Sequence, residues 1–353
     1  MPGVAQQAIP AAHNLPERWS AVMDDCVVSI AWSPDGEHLS AASASGSVCI
    51  VNVESGSLER SFQAHDFGAT SVKWRPASEE IATAGQDGRI RLWNPHSGEL
   101  LHELDGGSAW VEHLAWSSSG THLASAAGGK LRLWNPNGSL AREYPQHPNT
   151  IAAIAWRPNA SELASACYGQ IQIWRPDSDQ PEKALQWKGS MLALAWSPDG
   201  QYLCHGNQDA TVHFWIVRSA KELQMWGYPT KVRELAWDRR SRYLATGGGS
   251  QITVWDCSGR GPANTKPIVL KYHEDLLSQL VYQRNGPLLA SGCIGGRIAI
   301  WEGKNRQPLF TAAMPSAIAQ LAWSGDGTRL CVGCEDGTLT VLETSESPAA
   351  ARR

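Results

Sequence analysis

The chain lacks several features by which large classes of protein are recognised. Its 30 Lys and Arg residues are outnumbered by 34 Asp and Glu, which gives a net charge of −4. Surfaces for nucleic acid or for anionic membranes normally carry a basic field, so we expect neither partner. No apolar run reaches the length of a membrane-spanning helix. Residues 1–16 show no secretion signal, so a cytoplasmic location is expected.

Motifs for catalysis and for metal binding are also missing. No nucleophile elbow, phosphate loop or His-Glu-x-x-His motif occurs, so the sequence predicts no enzyme, no cofactor and no metal. Eight unevenly spaced cysteines indicate reduced thiols. Cys331 and Cys334 have the spacing of half a metal site, with Cys293 equivalent to Cys334 in the preceding repeat. Strand residues three apart point to opposite faces, which favours core thiols over a thiol cluster.

Tryptophan, in contrast, is abundant, with 17 residues that reveal an internal repeat. A first aromatic recurs at spacings of 42, 42, 40, 40, 41, 45 and 41 residues, at Trp32, Trp74, Trp116, Trp156, Trp196, Trp237, Tyr282 and Trp323. A second landmark follows 18 or 19 residues later, at Val51, Trp93, Trp134, Trp174, Trp215, Trp255, Trp301 and Leu342. Eight such pairs in register indicate eight structural repeats.

Each repeat has the pattern of four short antiparallel strands. An apolar strand ends at the first aromatic, and a turn such as Ser33-Pro34-Asp35-Gly36 reverses the chain. A strand of small residues follows, and then a strand that alternates with period two, as in residues 88–93. A looser fourth strand completes the unit. Four strands in about 41 residues are typical of one blade of a β-propeller.

The repeat count predicts an all-β, closed propeller of eight blades, with seven blades as the alternative. After Leu342 only a polar tail remains, so the last blade lacks an outer strand. Residues 15–22 have no other pairing partner, and we expect them to complete that blade and remove an exposed sheet edge. Residues 14–343 therefore form one domain, with flexible tails at residues 1–13 and 344–353.

The turns, the 40-residue period and the run Asp87 to Asn94 (Asp-Gly-Arg-Ile-Arg-Leu-Trp-Asn) resemble the WD-repeat family over roughly residues 15–343. The name-giving dipeptide occurs once, at Trp255-Asp256, and no Gly-His pair occurs. The resemblance implies a non-catalytic scaffold that binds proteins through one loop face.

The resemblance also implies a buried His–Ser/Thr–Asp–Trp network, which family members often carry. Only the second repeat matches in full, with His65, Thr83, Asp87 and Trp93. Asp209 and Asp336 keep the Asp position, whereas His147 and His273 keep the His position. Although a carboxylate beside a histidine resembles part of a catalytic triad, its repetition around the ring favours a structural role.

A partner-binding patch is expected across blades three to six, because aromatic, Met and Arg residues are favoured in protein interfaces. Its members are Trp110, Tyr168, Trp187, Met191, Trp226, Tyr228, Lys231 and Arg233. The competing interpretation is that these tryptophans fill the space between blades. Glu112 and His113 are expected in the channel wall, where solvated side chains are favoured over a ligand site. Arg239, Arg240 and Arg242 form a basic turn, which is also expected to be solvated.

The expected function is therefore binding of one or more proteins by a monomeric propeller. Three alternatives stay open: an obligate structural subunit of a larger complex, a propeller with a small ligand or ion in its channel, and an enzyme. Some eight-bladed propellers are quinone-dependent dehydrogenases, but they carry other tryptophan motifs. The fold indicates a role and not a pathway.

Overall fold

The computed structural model describes residues 12–259 and 261–344, which form eight four-stranded antiparallel sheets arranged as the blades of a closed ring. The predicted all-β, eight-bladed propeller is confirmed, and the seven-bladed alternative is wrong. Each innermost strand ends at the first aromatic of its repeat, and each third strand contains the second landmark. The two tryptophan series therefore mark equivalent positions in successive blades.

The strands of each blade follow one another from the channel to the rim. In blades 1 and 2 they are Val27–Trp32, His38–Ser43, Ser47–Asn52, Leu58–Gln63, and Ala69–Trp74, Ile81–Gly85, Arg89–Trp93, Leu100–Asp105. In blades 3 and 4 they are Val111–Trp116, Leu123–Ala127, Lys130–Trp134, Leu140–Glu143, and Ile151–Trp156, Leu163–Cys167, Gln170–Trp174, Lys183–Gln186.

Blades 5 and 6 comprise Met191–Trp196, Tyr202–Asn207, Val212–Ile216, Lys221–Met225, and Leu235–Trp237, Tyr243–Thr246, Ile252–Asp256, Ile268–Leu270. Blades 7 and 8 comprise Leu277–Tyr282, Leu288–Cys293, Arg297–Glu302, Phe310–Ala313, and Ile318–Trp323, Arg329–Cys334, Thr338–Glu343, with Glu17–Val22 as the outer strand of blade 8.

The N-terminal strand closes the ring as predicted. Glu17–Val22 pairs antiparallel with Thr338–Glu343, so blade 8 combines both ends of the described chain. The Trp19 indole Nε1 donates to the Val53 carbonyl of blade 1 at 2.8 Å. At the channel, Trp32 Nε1 donates to the Ala322 carbonyl at 3.0 Å and joins blade 1 to blade 8 a second time.

The domain boundaries differ slightly from the expected ones. His13, which was assigned to a flexible tail, forms with Asn14 a short strand parallel to Phe310–Ala313 on the rim of blade 7. The backbone N–H of Thr344 donates to the Thr328 carbonyl at 2.9 Å, so this residue is also bound to the propeller. Of the predicted tails, residues 1–11 and 345–353 lie outside the described residues.

The core is divided among the blade interfaces. Buried apolar side chains form eight clusters in the described chain, each shared by two neighbouring blades. The innermost tryptophans add directed contacts, as Trp74, Trp156 and Trp196 each donate Nε1 to a carbonyl of the preceding blade at 2.9–3.1 Å. Those carbonyls belong to the small residue before the preceding aromatic, so close approach of the inner strands is required. The ring is therefore held together blade by blade.

Antiparallel strand order defines two faces. The upper face comprises the loops from each outer strand to the next blade, together with the hairpins between second and third strands. The lower face comprises the hairpins between first and second strands and between third and outer strands. Among the described residues no helix is long and apolar enough to cross a membrane.

Candidate partner-binding surface

The four residues of the predicted network form one hydrogen-bonded chain in blade 2. His65 Nδ1 lies 2.9 Å from Asp87 Oδ1, and His65 Nε2 lies 2.9 Å from Thr83 Oγ1. Trp93 Nε1 donates to the same Thr83 hydroxyl at 2.9 Å. Asp87 also accepts from the backbone N–H of Arg89 and from the Arg91 guanidinium. This series of hydrogen bonds links the loop before blade 2 to the second and third strands of that blade.

Burial and the neighbouring charges together set the protonation of this network. It lowers the pKa of His65, although Asp87 beside it acts in the opposite direction. Burial alone would raise the pKa of Asp87, but the Arg91 hydrogen bond and the charge of His65 outweigh it and hold that pKa below its ordinary value. The Thr83 side chain is fully buried. A hydroxyl inaccessible to substrate cannot act as a nucleophile, so the geometry is that of a structural network.

Other blades carry shortened versions of this network. His147 and His273 lie 2.8 Å from the hydroxyls of Ser165 and Ser291. Trp174 and Trp301 donate to those same hydroxyls at 2.8 and 2.9 Å. The Asp position, six residues before the tryptophan, holds Tyr168 in blade 4 and Gly295 in blade 7. The hydroxyl is thus the shared centre, and the aspartate is an addition in blade 2.

Tyr228 takes the place of the histidine in blade 6. Its hydroxyl lies 2.9 Å from Thr246 Oγ1 and accepts a 2.9 Å hydrogen bond from Trp255 Nε1. Burial raises the pKa of Tyr228 to about 12, so the phenol stays protonated. The offset of 18 residues from Tyr228 to Thr246 equals that from His65 to Thr83. The offset of 18 residues is therefore a sequence signal for the network that holds for tyrosine as well as for histidine.

Trp187 occupies the same position in blade 5, where packed aromatic rings replace the network. The Trp187 and His213 ring centroids are 3.7 Å apart, and His213 in turn stacks on His205 at 4.9 Å. His205 Nδ1 lies 2.9 Å from Asn207 Oδ1. Burial lowers the pKa of His205 to about 3, which keeps this ring neutral. Trp187 is therefore mainly a packing residue.

The expected patch is thus smaller than the sequence suggested. Met191 is 2% exposed and packs in the core between blades 4 and 5, so its prediction as a contact residue is wrong. The position in the strand explains this difference. Met191 is the first residue of an innermost strand, and the first residues of the innermost strands in blades 3 and 4, Val111 and Ile151, are also buried. Five members remain exposed on the upper face: Trp110, Tyr168, Trp226, Lys231 and Arg233.

Three aromatic side chains are exposed on loops of the upper face. Trp110 is 54% exposed in the loop before blade 3, Tyr168 is 49% exposed in a hairpin of blade 4, and Trp226 is 73% exposed before blade 6. The Trp187 N–H donates to the Gly169 carbonyl at 3.0 Å, which joins the Tyr168 hairpin to the next loop. This bond fixes the Tyr168 hairpin to the loop before blade 5.

Further exposed apolar residues lie on the upper face outside the expected patch. Phe67 precedes blade 2, Leu276 precedes blade 7, and Ile294 is in a hairpin of blade 7, with exposures of 75, 47 and 49%. Their exposure depends on loop conformation, which the repeat spacing does not determine.

The lower mouth of the channel forms a cavity of about 740 Å³. Its wall includes the innermost aromatics of blades 3 to 7, with Arg239 and Arg284 at its edge. Glu112 is exposed, and burial lowers the pKa of His113. The channel is thus lined by polar and aromatic groups.

The basic turn lies beside the third strand of its own blade. Arg242 lies 3.6 Å from Asp256, and its guanidinium covers the Tyr243 ring.

The cysteines are separated within the core. All eight lie in the described part of the chain and are unpaired. Cys334 packs between blades 7 and 8, whereas Cys331 packs between blades 8 and 1. The two side chains therefore lie on opposite faces of their strand, and burial raises the pKa of both thiols.

Comparison with known proteins places this ring in a family. The family model "WD domain, G-beta repeat" matches residues 56–94, 98–135, 138–175, 182–215, 221–256 and 307–341. Because these segments make up more than half of the chain, the protein belongs to the WD-repeat family. A second model, the anaphase-promoting complex subunit 4 WD40 domain, matches residues 14–67.

Two individual proteins illustrate this relationship. THO complex subunit 3 of Arabidopsis thaliana is 26% identical over 148 residues, which cover 41% of this chain. The match spans 46% of that relative, or about half its length. The crystal structure of the computationally designed Ika8 protein superposes with a TM-score of 0.80 at 20% identity, covering 91% of this chain and 97% of the designed one. The latter similarity concerns the fold alone.

Proposed function

We propose that this protein is a non-catalytic scaffold that binds partner proteins through the upper face of blades 3 to 6. The observation that carries the proposal is the exposure of Trp110, Tyr168 and Trp226 on the same face of the ring. Isolated exposed apolar residues are ordinary, but several large exposed aromatics on one face are typical of a protein interface. WD-repeat propellers generally serve as scaffolds, which agrees with this role.

The charges around these aromatics define the partner. Lys231 and Arg233 follow Trp226 by five and seven residues, and both are exposed. No carboxylate of residues 12–259 or 261–344 lies within 4.0 Å of either side chain. Unpaired cations at the rim attract a surface of opposite charge. We therefore propose a partner that presents apolar side chains among acidic residues, and no nucleic acid or membrane.

Affinity purification with quantitative mass spectrometry tests this proposal. The Trp110→Ala, Trp226→Ala double variant should lose its specific partners at least tenfold relative to the original protein, because interface aromatics contribute several kcal/mol to binding. Phe67→Ala, at an equally exposed position outside the patch, is the matched control and should retain them. Partners recovered equally with all three proteins would contradict the proposed face.

The main alternative is an obligate structural subunit of a larger complex. The curated relative is by name a subunit of the THO complex, which supports complex membership for this chain as well. Purification of the protein on its own distinguishes the two roles, since an obligate subunit lacking its partners aggregates. A stable, soluble monomer favours the independent scaffold.

We further propose that the protein works in the cytoplasm. The support is chemical, because eight cysteines without a disulfide are typical of a reducing compartment. Fractionation of cells that express the tagged protein checks this location.

A further inference from the structure

Three potential metal ligands meet on the lower rim between blades 1 and 2. His38 begins the second strand of blade 1, Glu59 lies on its outer strand, and His96 lies in a hairpin of blade 2. Their ligand atoms all lie within 4.8 Å of one another. The proposed partner surface is on the opposite face, so this cluster is independent of it.

The spacing within the cluster suits a tetrahedral cation. His38 Nε2 lies 3.2 Å from Glu59 Oε2. Two ligands at Zn–N and Zn–O distances of about 2.0–2.1 Å and a tetrahedral angle are about 3.3 Å apart. The first two ligands are therefore at coordination distance from one point. His96 meets His38 edge-on, with ring centroids 5.1 Å apart, and its exposed side chain has room to turn toward that point.

Neighbouring groups already orient two of the ligands. Asn52 Nδ2 donates to Glu59 Oε1 at 3.3 Å, which leaves Oε2 directed at His38. Arg60 Nε donates to the His96 carbonyl at 2.9 Å and holds the blade 2 hairpin against blade 1. Glu79 Oε2 lies 3.7 Å from His96 Nε2, which is beyond hydrogen-bond distance. Outer contacts of the kind that Asn52 makes orient a ligand and strengthen metal binding.

We propose that His38, Glu59 and His96 bind a divalent cation of the zinc class, with a fourth position for water. Two histidines and one carboxylate are a ligand set that zinc favours. The bound ion connects the outer strand of blade 1 to blade 2. His38 Nδ1 is buried and has no hydrogen-bond partner in the described chain. Since ligating histidines usually donate from the second nitrogen, we expect micromolar rather than nanomolar affinity.

Calorimetric titration of the metal-free full chain with zinc chloride tests this site. One equivalent should bind, and His38→Gln, Glu59→Gln and His96→Gln should each weaken binding at least tenfold. His102→Gln, which changes an exposed histidine on the outer strand of blade 2, is the control and should bind like the original protein. Glu59 is on the exposed rim, so its variant keeps the test valid if a histidine variant does not fold.

Cobalt(II) substitution separates this site from binding by cysteine. Histidine and carboxylate ligands give visible d–d bands without a thiolate-to-metal charge-transfer band in the near ultraviolet. A charge-transfer band, no stoichiometric zinc binding, or affinity unchanged in Glu59→Gln would each overturn the proposal.

Discussion

At the scale of single residues, buried hydroxyls bonded to tryptophan recur within the blades. Thr83, Ser165 and Ser291 each accept a hydrogen bond from the tryptophan of the neighbouring strand. A buried polar group needs a partner, and the residue 18 positions earlier supplies one. In blade 2, Asp87 adds a further hydrogen bond to this series and holds the His65 ring in place.

Replacement of Asp87 should show what this extension contributes. Asp87→Ala should lower the free energy of unfolding by roughly 1–3 kcal/mol, because buried donors of His65 and Arg91 lose their acceptor. Asp336→Ala is the matched control, since that carboxylate occupies the equivalent position but is exposed. Its effect should stay within about 0.5 kcal/mol. Equal thermal stability of the Asp87 variant and the original protein would refute the structural role.

Buried histidines predict acid sensitivity above the range where carboxylates titrate. Burial lowers the pKa of His147 and His273 to about 4 and of His205 to about 3. The folded chain keeps these rings neutral, whereas the unfolded chain takes up protons below about pH 6.5. Their stabilising effect is complete above pH 6.5 and is lost as the pH falls toward 4. Glu234, whose pKa burial raises, acts in the opposite direction.

Thermal unfolding between pH 7.5 and 5 measures this dependence. We expect a loss of roughly 3–5 kcal/mol from pH 6.5 to 5, at up to about 1.4 kcal/mol per pH unit and histidine. His273→Gln should be less stable at pH 7.5 but should show a shallower decline. A flat profile of the original protein between pH 6.5 and 5 would show that these histidines remain accessible to protons.

Residue identity alone did not separate surface from core near the upper face. Trp187 and Tyr228 are aromatic residues in polar loops, a pattern also typical of an interface. In the structure both lie 18 residues before the buried second-strand position, and Tyr228 bonds there. Trp110, three residues further along its own loop than this position, is exposed. A shift of three residues decided burial, which composition cannot reveal.

At the scale of elements, the N-terminal strand decides whether the ring is closed. Its pairing could be predicted from the sequence, because blade 8 lacked one strand and one segment lacked a partner. The short parallel strand His13–Asn14 could not, since two residues carry no periodicity. The proposed ligand cluster could not be predicted either, because His38 and Glu59 lie on two strands and His96 in a hairpin of the next blade, without a spacing motif.

Trp19 provides a test of this closure. Trp19→Ala should lower the free energy of unfolding by about 3 kcal/mol, because it removes ring packing beside Gly56 and the bond to Val53. Trp226→Ala is the matched control, since that ring is 73% exposed and its loss should cost less than about 0.5 kcal/mol. Chemical denaturation of both variants provides the comparison. Similar midpoints for the two would mean that the closing strand adds little stability.

At the scale of the whole molecule, repeat number and closure followed from spacing, whereas the binding face did not. Eight landmark pairs determine eight blades because each pair belongs to one sheet. The surface offered to a partner depends on which loop residues remain exposed after packing. WD-repeat propellers share the ring, so under the proposed function specificity lies in these loops.

Cross-linking mass spectrometry of the protein purified with its partners tests the binding face most directly. Exposed lysines mark both faces: Lys130, Lys188 and Lys231 stand on the upper face, and Lys266 and Lys304 on the lower. An amine-reactive reagent should link partner proteins to the three upper lysines. Links from partners confined to Lys266 and Lys304 would contradict upper-face binding.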